Sequence, residues 1–169
     1  SSKILSAALT QSSCNNKWID ARDLIRTDNS YRAGVVDWET TNNQIQQVAK
    51  NNFTSSNQLI VSQGFIASTS ENYTSTLGRE GSDFSAAIVA SALNAEEVVI
   101  WKDVEGMLNA DPKFFENTVK LNNVSYKEAV ELAYFGASVI HPKTIKPLEN
   151  KGIPLLVKSF INPNNKGTL

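Results

Sequence analysis

Residues 76–87 read TLGREGSDFSAA: two glycines bracket Arg79 and Glu80, Ser82 and Asp83 follow, and the chain then turns small and apolar. Gly78 and Gly81 open backbone conformations closed to other residues and let a ligand come close to the main chain. Ser82 can cap the helix that the alanine-rich run predicts, which leaves Asp83 in its first turn. A carboxylate there is favoured by the helix dipole and stays ionised, so it is better suited to holding an ammonium group than to accepting protons. Arg79 carries a planar, permanently charged fork that grips carboxylates or phosphates. Together they suit a zwitterion such as an amino acid. The plainer alternative is an Arg–Asp pair that staples its own loop, and composition alone favours it.

Around this stretch, short apolar runs alternate with helical patterns. Strand character appears at residues 18–21 (WIDA), 58–62 (QLIVS), 98–102 (VVIWK) and 153–158 (IPLLVK). The last three are nearly continuous apolar, as expected of strands covered on both faces. Helical patterns occupy residues 1–10, 40–51, 82–93, 125–135 and 143–150. The fourth is the best marked, with Ser125 and Glu128 as a capping box and Gly136 where a C-terminal glycine belongs. The alternation predicts one α/β domain spanning residues 1–169, with a largely parallel sheet and helices on both faces. In such sheets ligands bind beyond the carboxyl ends of the strands.

Two further segments fall at such ends. In WKDVEGMLNADP (residues 101–112), Lys102 and Lys113 could lie against phosphates, and Asp103 could reach a ribose, an ammonium or a metal-bound water. The plainer alternative is a solvated turn after a buried strand. In YFGASVIHPKT (residues 134–144), a glycine and small residues make a tight corner before His141, the only histidine. The proline after it biases His141 toward extended backbone, and a structural histidine satisfying backbone groups is favoured over a catalytic base.

Composition removes several function classes. With 169 residues, 41% hydrophobic, 20% charged and a net charge of −1, the chain is globular and carries no basic stripe for a nucleic-acid partner. Its apolar runs are far too short to span a bilayer. Cys14 is the only cysteine, which excludes an internal disulfide and suits a reducing cytoplasm. The phosphate-loop, dinucleotide-turn, H-E-x-x-H and G-x-S-x-G signatures are all missing. The opening SSKILSAALTQ has no Met and no signal pattern, and reads as the interior of a longer polypeptide.

Taken in order, QGFIAS (63–68), TLGREGSDFSAA, IWKDVEGMLNADP, ELAYFGASVIHP (131–142), IPLLVKS (153–159) and the final GTL resemble the aspartokinase catalytic domain, within the amino acid kinase superfamily. WIDAR and RTDN upstream also fit. The resemblance spans essentially the whole chain, although TLGREGSD alone is highly specific. It implies a three-layer α/β/α, carbamate kinase-like fold, here truncated at its N-terminus. It also implies transfer of phosphate from ATP, with Mg²⁺ bound mainly through the nucleotide, to the side-chain carboxylate of L-aspartate. That step leads toward lysine, threonine and methionine.

By the same resemblance, Arg79, Glu80, Gly81, Ser82 and Asp83 form part of the aspartate pocket, with Arg79 and Asp83 at its catalytic centre. Lys102, Asp103, Leu108, Lys113, Ser138 and Val139 lie along the nucleotide. No dedicated metal ligands, membrane or nucleic-acid contacts are implied, and the full-length protein is expected to be a cytoplasmic homo-oligomer. The chain departs from the family's common residues at Lys102 (Thr), Leu108 (Tyr), Lys113 (Arg) and Ser138 (Lys), and Lys102 could supply the cation that Ser138 lacks. The family's N-terminal Lys-Phe-Gly-Gly-Thr-Ser motif and its regulatory domains fall outside these residues, so the 169 residues alone are expected to be inactive or nearly so. Two alternatives stay open: a kinase for another small acid on the same fold, and a non-catalytic nucleotide-binding module.

Overall fold

The computed structural model describes residues 1–55, 58–111, 113–134 and 139–169. They fall into two compact units, Ser1–Leu93 and Asn94–Leu169.

In the first unit, helix α1 (Ser2–Gln11) leads into strand β1 (Lys17–Trp18), which pairs in parallel with β2 (Ile60–Val61). The strand expected over 18–21 is cut short because the Asp20 carboxylate accepts the Arg22 N–H and turns the chain into a 3-10 turn, Ala21–Asp23. Helix α2 (Trp38–Asn52) starts two residues before the expected position, since Asp37 caps it by accepting the Thr40 N–H at 3.1 Å. The loop expected after β2 contains an antiparallel hairpin, β3 (Ile66–Ser68) with β4 (Thr74–Thr76). It rests on the segment before α2: Thr27 N–H donates to Ser68 C=O at 2.8 Å, and the Thr27 and Ser75 hydroxyls meet at 2.6 Å.

The hairpin delivers Leu77, fully buried, to helix α3 (Gly81–Leu93). Phe84, Ala87, Ile88, Ala90 and Ala92 of α3 are all buried. A helix apolar on most sides belongs inside a core, and its alanines allow neighbours to approach closely. That core also holds Leu24, Ile25, Val36, Ile45 and Ala67.

In the second unit, β5 (Val98–Lys102) pairs in parallel with β6 (Leu155–Ser159), from Val98 opposite Leu155 to Lys102 opposite Ser159. Full coverage on both faces does not hold for β5. Trp101 is 48% exposed, and the Lys158 ammonium lies 5.1 Å from its ring centre. Helix α4 (Tyr126–Tyr134) begins with the expected capping box: Ser125 N–H donates to Glu128 Oε2 at 2.8 Å, and Glu128 N–H to Ser125 Oγ at 3.3 Å. The expected end of this helix at Phe135 and Gly136 lies outside the described residues. Helix α5 (Pro142–Glu149) has Pro142 at its first position and His141 as its cap, Nδ1 accepting the Lys143 N–H at 3.1 Å. Thr168 exchanges two backbone hydrogen bonds with Val157, at 2.8 and 3.0 Å, on β6.

Candidate functional site

The TLGREGSD turn closes the first unit at the N-terminus of α3. Gly78, at φ +75°, lies against Ala33, to which a Cβ on the glycine would come within 3.2 Å. Arg79 follows, with its guanidinium exposed and, among the described residues, unpaired. Glu80 adopts φ +51°, a left-handed conformation favoured by Gly, Asn and Asp. Its carbonyl accepts the Phe84 N–H at 3.2 Å, so Glu80 is the cap and Gly81 the first helical residue. Ser82 therefore stands exposed inside the first turn and does not cap the helix as expected. Asp83 is half-buried and already engaged within the chain.

One oxygen of Glu80, Oε2, is buried without a hydrogen-bond partner among the described residues. A buried carboxylate oxygen in that state is costly and calls for an explanation. It belongs to a residue already held in a strained backbone conformation, and such strain concentrates at functional sites.

Against this turn packs the segment after β2. Phe65 is also left-handed, at φ +76°, and is held from both sides. Its N–H donates to Ser85 Oγ at 2.9 Å, and its carbonyl accepts the Leu77 N–H at 2.9 Å. A Cβ on Gly64 would stand 3.0 Å from Ser82 Cα, and one on Gly81 would stand 2.9 Å from Phe65 Cδ2. Both positions are thus tight for any side chain.

Beside them, Gln63 joins the end of β2 to the end of β1. Its Nε2 donates to Asp20 Oδ1 at 3.0 Å, and its Oε1 accepts the Ala21 N–H at 3.1 Å. Arg22 bonds the same carboxylate, with its NH2 nitrogen 2.6 Å from Oδ2. The Arg22 side chain holds the Asp20 carboxyl below the usual carboxylate range, outweighing the opposing effect of burial.

The second unit holds the other candidates. Lys102 ends β5, half-buried and engaged within the chain, and its carbonyl accepts the Phe160 N–H at 2.9 Å. Asp103 is exposed just beyond it, and half-buried Leu108 bridges to Lys120. Lys113 is exposed, with its N–H donating to Asp111 Oδ1 at 2.8 Å. Val139 is half-buried before the fully buried Ile140, and Ser138 lies outside the described residues. His141 is spent on its helix cap, the structural role its sequence context favoured. The five residues from Arg79 to Asp83 form the turn into α3, with Arg79 and Ser82 exposed and Gly81 buried, whereas the described nucleotide candidates lie at the β5 end and in the segments that follow it.

The sequence matches the amino acid kinase family over residues 1–159. The chain belongs to the amino acid kinase family. Bifunctional aspartokinase/homoserine dehydrogenase 1 of Zea mays, a chloroplastic protein, is 39% identical over 169 residues, covering all of this chain and 18% of the maize protein. Lysine-sensitive aspartokinase 3 of Escherichia coli K12 is 36% identical over 155 residues, covering 90% of this chain and 34% of that one. The crystal structure of E. coli aspartokinase III in complex with aspartate and ADP, its R-state, superposes with a TM-score of 0.89 at 33% identity, covering 99% of this chain and 37% of that one. The fold of this amino acid kinase chain is therefore the α/β fold of the aspartokinases, although the chain spans only a minor part of these relatives' length.

Four residues that build the same surface carried no assigned role in the sequence: Asp20, Gln63, Phe65 and Ser85. WIDAR and QGFIAS stood out as segments. Nothing in them signals a left-handed phenylalanine, however, because that conformation is usually read from Gly or Asn. Ser85 looks like one more small residue on an alanine-rich helix.

Proposed function

We propose that this chain is part of the single catalytic domain of an aspartate kinase, which transfers the γ-phosphoryl group of ATP to the side-chain carboxylate of L-aspartate. The observation that carries this reading is Arg79, exposed and without an ion-pair partner among the described residues, on a strained turn beside the N-terminus of α3. An exposed guanidinium can take a carboxylate from a ligand, gripping it in bidentate fashion. In this reading Arg79 binds the substrate α-carboxylate and Asp83 its ammonium, while Glu80, Gly81 and Ser82 complete the pocket wall.

The acceptor needs no general base. A side-chain carboxylate has a pKa near ~4 and is ionised at neutral pH. One carboxylate oxygen attacks the γ-phosphorus, the bond from that phosphorus to the β-bridging oxygen breaks, and ADP leaves as 4-phospho-L-aspartate forms. The protein's task is alignment and charge neutralisation. In this reading Lys102 and Lys113 meet phosphate charge, Asp103, Leu108, Ser138 and Val139 line the nucleotide, and Lys102 takes over from the lysine other members carry at the Ser138 position. Mg²⁺, held through the phosphates of the nucleotide, would screen their charge.

The product feeds lysine, threonine and methionine synthesis, in a homo-oligomer at the protein's natural length and in a reducing compartment such as the cytoplasm. No helix among the described residues is long and apolar enough to cross a membrane. The 169 residues on their own are proposed to lack turnover, since they correspond to 37% of the solved aspartokinase III chain.

The test is ADP release by the protein at its natural length against a panel of aspartate, glutamate and carbamate. Aspartate-dependent release is expected. A preference for another acid, or no release with any, overturns the reading. Calorimetry of the 169 residues with aspartate and an ATP analogue separates binding from turnover.

A further inference from the structure

We propose that Ser85 is a positioning residue of the amino-acid pocket, acting through Phe65. The inference rests on the aspartate-kinase reading above. Ser85 is 5% exposed on α3, and its hydroxyl makes two hydrogen bonds: it accepts the Phe65 N–H at 2.9 Å and donates to the Gly81 carbonyl at 2.8 Å. A hydroxyl has one proton and lone pairs to spare, so it serves both groups at once, which alanine cannot do.

The accepting role falls where the backbone needs it. A bulky residue at φ +76° is an outlier that persists only when its surroundings over-determine it. Phe65 is fixed by Ser85 at its N–H and by Leu77 at its carbonyl. Through these bonds Gly64 is pressed to within a Cβ's reach of Ser82, and the Phe65 ring edge lies on Gly81. The Ser85 hydroxyl therefore sets the spacing between the segment after β2 and the turn carrying Arg79, Glu80 and Ser82. Without it, Phe65 relaxes toward negative φ and draws Gly64 away from the first turn of α3. Ser85 itself touches no substrate.

In the protein at its natural length, Ser85→Ala is expected to raise the aspartate KM by about tenfold or more, as displacement of positioning groups does, with the ATP KM unchanged. Amide hydrogen exchange at Phe65 accelerates in the same variant. Ser85→Thr keeps the hydroxyl and restores both values, and Ser85→Cys replaces the alanine variant if that one fails to fold. An aspartate KM that stays at the wild-type value, whatever the melting temperature does, overturns the inference. An equal rise in the ATP KM, or no rescue by threonine, also overturns it. A wild-type protein that phosphorylates no aspartate overturns the kinase reading and this inference together, an outcome distinct from an active wild type with an indifferent Ser85→Ala.

Discussion

Gln63 and Asp20 stand 43 positions apart in sequence, and Gln63 Nε2 donates to Asp20 Oδ1 at 3.0 Å, tying together the ends of two parallel strands. The other end of the same amide accepts the N–H of Ala21, which is 1% exposed. Gln63→Leu removes both partners at once and leaves a buried N–H without an acceptor, which costs roughly 1–3 kcal/mol. Urea unfolding of wild type and variant checks the loss, and equal midpoints would refute it.

The Asp20 carboxyl also sets a pH dependence. Arg22 lowers its pKa in the folded state relative to the unfolded chain. A depressed carboxylate stabilises the fold fully above its unfolded pKa of about 3.9. That contribution fades as pH falls through the lower, folded value. Wild type should therefore lose more stability than Asp20→Asn on acidification from about pH 5 toward pH 2. Parallel acid-unfolding curves for the two proteins would show that the Arg22 contact carries no such linkage.

Glu80→Gly separates stability from function at one position. Glycine reaches φ +51° without the cost of roughly 1 kcal/mol that a side chain meets there. It also removes the buried oxygen that has no hydrogen-bond partner among the described residues. The variant should melt higher than wild type and bind aspartate more weakly. A higher melting temperature with unaltered aspartate binding would take Glu80 out of the pocket wall.

Lys102→Ala tests the nucleotide half of the proposal. A charge-assisted contact contributes about 1.5–3 kcal/mol, so the ATP KM should rise about tenfold or more while the aspartate KM holds. Lys102→Arg, which keeps the charge, should retain most of the affinity. Unchanged ATP kinetics in the alanine variant would end the idea that Lys102 compensates for Ser138.

Thr168→Val is a stability test in the second unit. The Thr168 hydroxyl, 1% exposed, accepts the Met107 N–H at 2.9 Å and donates to the Leu121 carbonyl. Valine fills the same space but serves neither group, so a loss of about 2 kcal/mol or more is expected. Calorimetric melting reads it directly, and a wild-type melting temperature would show that the two backbone groups find other partners.

The helices were legible in the sequence because their ends are written in local chemistry. Ser125 with Glu128 specifies a boundary within four residues, and the structure places a helix there. The hairpin of β3 and β4 was not legible. Its buried face includes Ser75 at 0% exposure, satisfied by Thr27 far away in sequence, so no apolar alternation marks it. At the candidate site, the order of residues from Arg79 to Asp83 was readable as a motif. The left-handed Phe65 and the Ser85 hydroxyl that holds it were not, because both depend on a contact across 20 residues. Serine is a common cap residue, which points to Ser82, yet the strained Glu80 occupies that place.

The backbone exchange between Thr168 and Val157 gives the second unit a mechanical property. Leu169 is bonded on both sides, its N–H to Asn122 and its carbonyl to Val124, so the segment from Gly167 onward is stitched into the fold. Val157 lies two residues before Ser159, which sits opposite Lys102 at the far end of the β5–β6 ladder. Tension applied at Leu169 would thus meet its bonds to Asn122 and Val124 together with the Thr168–Val157 pair, and that pair anchors on β6, the strand whose Ser159 stands opposite Lys102.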